Sequence, residues 1–123
     1  MMLRSTASLL LCVLATATIA RIHAVRPGER SLTNALARAL DGDTVLVHAG
    51  TYTEGTITIE RSLVLKGRGW PVIDGGGKGE VIVVKASHVT ITGLVVRGTA
   101  ISDLNDNAGI KCISTTDIVI TGN

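Results

Sequence analysis

Phenylalanine is absent from this chain of 123 residues, and Trp70 and Tyr52 are its only aromatics. A small globular core built on large aromatic side chains is therefore excluded, and the interior has to be filled with aliphatic volume. Charge of one sign is scarce as well. Twelve Lys and Arg against ten Asp and Glu leave a net charge of +2, or +1 if Arg4 is removed with the leading segment. That is too little for a nucleic-acid footprint or a basic membrane patch. Cysteine is nearly missing: Cys12 lies in the leading apolar run, so Cys112 is the one thiol of the remaining chain and an internal disulfide is excluded there. The longest apolar run falls short of the roughly 20 residues that a membrane helix needs.

The leading run has a different use. Arg4 provides a short positive region, 7–20 (ASLLLCVLATATIA) is an apolar stretch of secretory length, and Thr18-Ile19-Ala20 places small residues at cleavage positions. Residues 1–20 are thus expected to be a signal peptide, with cleavage after Ala20 or as late as Ala24, and the product to be periplasmic or otherwise exported. Leu11 stands before Cys12 where a lipoprotein would carry a small residue, so lipidation is set aside.

What the chain does contain is β-branched and other aliphatic residues together with 14 glycines, the composition of short strands and tight corners. One pattern recurs three times: SLVLKG at 62–67, HVTITG at 88–93 and DIVITG at 117–122, offset by 26 and then 29 residues. A strand that returns at such a period belongs to a coiled solenoid. Aligning Gly67, Gly93 and Gly122 stacks Leu63, Val89 and Ile118 in one column and Leu65, Ile91 and Ile120 in another. Segments 44–52, 56–60, 71–74, 80–86 and 94–98 supply the other extended stretches. Ile57 and Ile59 can be set against Val81 and Val83 or against the residues one later, and the alternation allows either.

Ahead of the strands, after a polar joint at 25–30, the segment 31–40 (SLTNALARAL) carries Leu32, Ala35, Leu36, Ala39 and Leu40 at helical spacing. Ser31 is placed to cap its N-terminus and Asp41-Gly42 to end it. Such a helix has an apolar stripe to cover and the first coil has an open end, so it is expected to cap the stack. The fold expected for 25–123 is all-β: a right-handed parallel β-helix with a short N-terminal capping helix.

The run SLVLKGRGWPVIDGGGKGEVIVVKASHVTITGLVVRG (62–98), continued by SDLNDNAGIKCI (102–113) and DIVITGN (117–123), resembles the N-terminal coils of the NosD family. VIDGGGKG, a VTITGL strand about ten residues on, and the Asp-Leu and Asn-Ala-Gly-Ile segments carry the likeness, which extends over 31–123. The resemblance implies a periplasmic right-handed β-helix protein of nitrous oxide reductase maturation. It also implies copper as the metal handled, and the reductase and an ATP-driven membrane transporter complex as partners. Members of that family run through many more coils, so the chain is expected to be an N-terminal piece. The helix followed by GDTVLVHAGTY is shared with polysaccharide lyases and pectin-modifying enzymes, which makes a carbohydrate-active enzyme the alternative and a non-catalytic surface solenoid the third reading.

Candidate sites follow from residue chemistry. His48 and His88 are imidazoles suited to copper, and Cys112, in the alternating stretch 110–113, is either a small buried hydrophobe or a soft ligand. Asp103, Asn105 and Asn107 alternate like the opening of a calcium loop, but Ala108 stands where that loop requires glycine and Ser114 where it requires Glu. Asp103, Asn105, Asp106 and Asn107 are therefore assigned to a protruding polar partner surface, the kind of loop that meets other molecules. The 74–79 stretch (DGGGKG) lacks the spacing, the hydroxyl residue and the following helix of a phosphate loop, and reads as a corner between coils. A carbohydrate-active β-helix enzyme would need paired carboxylates, or a calcium with a basic residue, on one face of the coil, and Asp74, Glu80, Asp103, Asp106 and Asp117 fall at corners and loops without a repeated pair. No catalytic residue is assigned.

Overall fold

The computed structural model describes residues 19–101 and 107–123. The elements in chain order are β1 (Ile22–Val25), α1 (Ser31–Arg38), β2 (Thr44–His48), β3 (Thr51–Tyr52), β4 (Ile57–Ile59), β5 (Val64–Arg68), β6 (Val72–Asp74), β7 (Ile82–Val84), β8 (Val89–Thr92), β9 (Val95–Arg97), β10 (Ile110–Cys112) and β11 (Ile118–Thr121). From β2 onward the chain visits three sheets in rotation. One is five-stranded, in the order β1-β2-β5-β8-β11, and the others are β3-β6-β9 and β4-β7-β10. Every strand pair is parallel. The protein is thus all-β in parallel sheets with a single short helix among the described residues.

The strands are short because each turn of chain must bend three times, and most bends carry a glycine or a left-handed residue, the bend at 60–63 having neither. Between the bends, aliphatic residues alternate inward. In the five-stranded sheet Val45 pairs with Leu65, Leu65 with Ile91, and Ile91 with Ile120. Val89 pairs with Ile118, and Leu63, just ahead of β5, stands over Val89. Both expected columns therefore form. The open register is decided in favour of the later residue: Ile57 pairs with Ile82 and Ile59 with Val84. Val45, Leu65, Ile59, Ile82 and Ile91 are wholly buried, each contributing about 1.5–3 kcal/mol of transfer free energy.

The first turn departs from what the periodicity implied. The sheet begins at Ile22, ahead of the polar joint expected at 25–30, and Val25 is buried in β1. Then α1 takes the place where later turns supply strands to the two smaller sheets. It lies against β1, β2 and β4 and buries Leu32, Ala35 and Leu36. Ser31 does not cap it. The capping position is held by Arg30 in a left-handed conformation, and the side-chain oxygen of Ser31 is buried without a partner. The helical N–H groups are instead capped from a distance: the Glu54 carboxylate accepts from the backbone N–H of Leu32 at 3.0 Å and of Thr33 at 2.8 Å, and from the Thr33 hydroxyl at 2.6 Å. A local serine is replaced by a carboxylate that also ties the helix to the next turn and complements the positive helix end. The helix ends at Arg38, because Ala39 is already extended (ψ 146°), and Leu40 turns out to solvent rather than joining the apolar face.

Tyr52, buried, brings its hydroxyl to the carbonyls of Val25 (3.0 Å) and His48 (2.7 Å) and joins the first turn to the second. At the other end Asn123 accepts from the Leu94 N–H and donates to the Ile91 carbonyl, each at 3.0 Å. The glycine column is a matter of space. A methyl group on Gly67 would stand well inside contact distance of the Gly93 carbonyl oxygen, whereas Gly76, with φ 70°, faces open space. Gly67→Ala is therefore expected to destabilise the protein toward the upper end of about 1–3 kcal/mol for overpacking. Gly76→Ala should show only its backbone cost of about 1 kcal/mol. Urea unfolding of the two variants checks this, and equal losses would show that the glycine column does not control the packing.

Candidate functional site

The candidate metal ligands are held apart. His48 ends β2 on the outward side of the five-stranded sheet, where it pairs with Arg68 of β5. Arg26, which follows Val25 in register with Val47, continues the same outward row. Neither arginine makes an ion pair with a carboxylate among the described residues. A row of cations repels a metal cation, so this is poor ground for copper. His88 sits just before β8 with a left-handed backbone (φ 57°), and its Nδ1 lies 3.1 Å from the Asp117 carboxylate of the next turn, with both side chains largely exposed. Exposure of this degree makes the pair a weak tether.

Cys112 is not the buried hydrophobe that its alternation suggested. It occupies the inward row of Ile59 and Val84, but in the last strand of its sheet, and it is exposed. Burial between stacked parallel strands requires a strand on either side, and the alternation alone does not say which strands have one. The three residues lie on two different sheets, and among the described residues no group of three or more His, Cys, Asp or Glu side chains converges.

Of the expected partner surface, Asp103, Asn105 and Asp106 lie outside the described residues. Asn107 is described, and its side-chain amide donates to the Ala100 carbonyl at 3.4 Å. The carboxylates weighed for catalysis have structural partners. Asp74 accepts from the Gly76 N–H (2.8 Å) and from Arg97 Nε (3.0 Å) at the glycine corner, and these two contacts hold its pKa below the ordinary value. Glu80 is lowered by its own backbone N–H and by Lys111, whose Nζ lies 3.2 Å away on the next turn. The 74–79 stretch is a corner, as expected: Gly76, Gly77 and Gly79 have φ between 70° and 103°, and Gly77 N–H donates to the Gly98 carbonyl at 2.8 Å. A groove of about 380 Å³ between α1 and β4 is lined by Thr33, Leu36, Ala37, Thr58, Glu60 and Arg61.

The most distinctive ionisable cluster includes a residue that sequence reasoning passed over, His23. Asp43, just ahead of β2, is only 3 % exposed. It takes the inward position that Leu63, Val89 and Ile118 hold in later turns, and His23 stands in the row of Val45 and Leu65. One Asp43 oxygen accepts from the Arg21 N–H at 2.9 Å, and the other from the Leu40 N–H at 2.9 Å and lies 2.8 Å from His23 Nε2. Spacing gave some signal: His23 and Asp43 are polar residues at positions where the alternation demands aliphatic ones. That signal could be read only after β1 was known to be a strand.

Comparison of the chain with known protein families, with curated proteins and with solved structures yields no match. No helix among the described residues is long and apolar enough to cross a membrane.

The Leu40 N–H, then His23, then the Arg21 N–H, push the Asp43 pKa down from 3.8 to about 2. A carboxyl group whose pKa falls on folding contributes stability that is full above the unfolded value and is lost as the pH drops toward the folded one. The wild-type urea midpoint should therefore decline between about pH 4 and about pH 2. Asp43→Asn should be less stable at pH 7 and show a shallower decline over that interval, the remainder belonging to Asp74 and Glu80. A variant that declines as steeply as the wild type would remove Asp43 from the acid response.

Proposed function

We propose that the chain forms the cap and first turns of a right-handed parallel β-helix, exported to the periplasm, and that it acts as a non-catalytic accessory protein of the NosD kind. In this reading it assists assembly of the copper site of nitrous oxide reductase, beside an ATP-driven membrane transporter complex. The observation that supports the reading is the placement of the residues that carry the resemblance. VIDGGGKG forms β6 and its corner, VTITGL forms β8 with Leu94 buried at the following bend, and Asn-Ala-Gly-Ile leads into β10 directly against β7. They thus lie on successive turns of one stack.

The contribution to copper assembly is assigned to surfaces that hold protein partners, because His48, His88 and Cys112 are dispersed and His48 stands among cations. A carbohydrate-active enzyme draws less support, since Asp74 and Glu80 are engaged with Arg97 and Lys111.

The test has two parts. In a host that makes nitrous oxide reductase, deletion of the gene should leave the reductase without its copper site, and restoration should succeed equally with the native gene and with a His48→Ala, His88→Ala, Cys112→Ser variant. In vitro, Cu(I) titration against a chromogenic chelator should give affinities for the native and triple-variant chains within about tenfold of each other, that is within 1.4 kcal/mol. A copper-loaded reductase in the deletion strain would overturn the maturation reading. A much larger loss of Cu(I) affinity would instead make the three residues a metal centre.

A further inference from the structure

We propose that cleavage between Ala20 and Arg21 completes the fold: the new α-ammonium group of Arg21 becomes the counter-charge of buried Asp43 and latches the first turn. The proposal rests on the export reading for its trigger. Its chemistry comes from the geometry around Asp43.

Asp43 is a carboxylate with almost no access to water, and a buried charge is stable only when it is paired and fully hydrogen-bonded. Its present partners are two backbone N–H groups and His23, and an imidazole supplies positive charge only when protonated. No Lys or Arg side chain pairs with it among the described residues. One of its oxygens accepts from the backbone nitrogen of Arg21 at 2.9 Å. That nitrogen is an amide while Ala20 is attached. Hydrolysis of the Ala20–Arg21 peptide bond by water leaves the Ala20 carboxylate on the departing segment and a primary amine on Arg21, which is protonated at neutral pH. The neutral donor at 2.9 Å then becomes a cationic one, and charge-assisted hydrogen bonds are roughly twice as strong as neutral ones.

The surroundings favour this site over the alternative at Ala24. Ile19 is 77 % exposed and Ala20 is exposed, so the bond is accessible, and Thr18 and Ala20 are the small residues that such cleavage selects. Arg21 is held in place on its other side, where its carbonyl accepts from the Thr44 N–H at 2.8 Å. A cut after Ala24 would discard Ile22, His23 and Ala24, most of β1, and strip Asp43 of both His23 and Arg21.

The experiment uses the chain from Arg21 to Asn123, released from a fusion partner so that Arg21 carries a free amine. It is compared with the same chain acetylated at that amine and with a chain extended by Ser-Ala at its N-terminus. The free-amine form should melt about 4–8 °C above both of the others, and the difference should vanish in Asp43→Asn. If that variant does not fold, acylation of the Arg21 amine by a soluble active ester provides the second readout, and it should be at least several-fold slower in the folded protein than in urea. Equal melting temperatures, or an amine that reacts at the same rate folded and unfolded, would overturn the latch. Separately, mass spectrometry of the exported full-length product should find Arg21 at its N-terminus. A different mature N-terminus would overturn the processing site while leaving the stability comparison to judge the latch, and a product retained with residues 1–20 would overturn the export reading itself.

Discussion

The structure depends on one constraint: an inward position in one turn must meet an inward position of matching shape in the next, at the parallel strand spacing of about 4.8 Å. Leu65 can be buried only because Val45 lies on one side of it and Ile91 on the other. The same rule holds Gly67 against Gly93, where the backbones approach too closely for any side chain. Because the hydrogen bonds run from turn to turn, a shift of one residue would turn a whole row outward. Matching rows therefore replace the large aromatic core that the composition does not supply.

A stack of this kind has ends, and at the end described by β1 and α1 two carboxylates do what a further turn would otherwise do. Glu54 reaches from beyond β3 to the helix N-terminus, and Asp43 gathers the N–H groups of Arg21 and Leu40 together with His23. Both satisfy backbone donors that have no partner within their own element, Glu54 at long range and Asp43 at long range for Arg21 and locally for Leu40. Asp43 also places charge where its row elsewhere carries hydrocarbon, and it is expected to be the main source of the acid response, with Asp74 and Glu80 supplying the remainder.

The same geometry shapes the functional reading. Side chains that alternate outward here are spread over three separate parallel sheets, and residues meet only if they share a row or occupy neighbouring bends. His48, His88 and Cys112 do neither, whereas Asp74 with Arg97, and Glu80 with Lys111, do so across adjacent turns.

Much of the architecture was legible from residues 44 to 123. The returning strands with terminal glycine placed Leu63, Val89 and Ile118, and Leu65, Ile91 and Ile120, in their columns, because a period of two within the strand and a repeat between strands leave few alternatives. The glycine corner at 74–79 was legible for the same reason: only a bend uses three successive glycines between strands. By itself, then, the sequence determined the parallel stacking, the rows that form the core and the helix ahead of them. The tertiary structure alone decided the register of Ile57 on Ile82, the exposure of Cys112, the capping of α1 by Glu54 instead of Ser31, and the gathering of Arg21, His23 and Leu40 around Asp43. Each of these depends on which residue of another turn lies within hydrogen-bond or contact distance, and a local pattern carries no information about distance across turns.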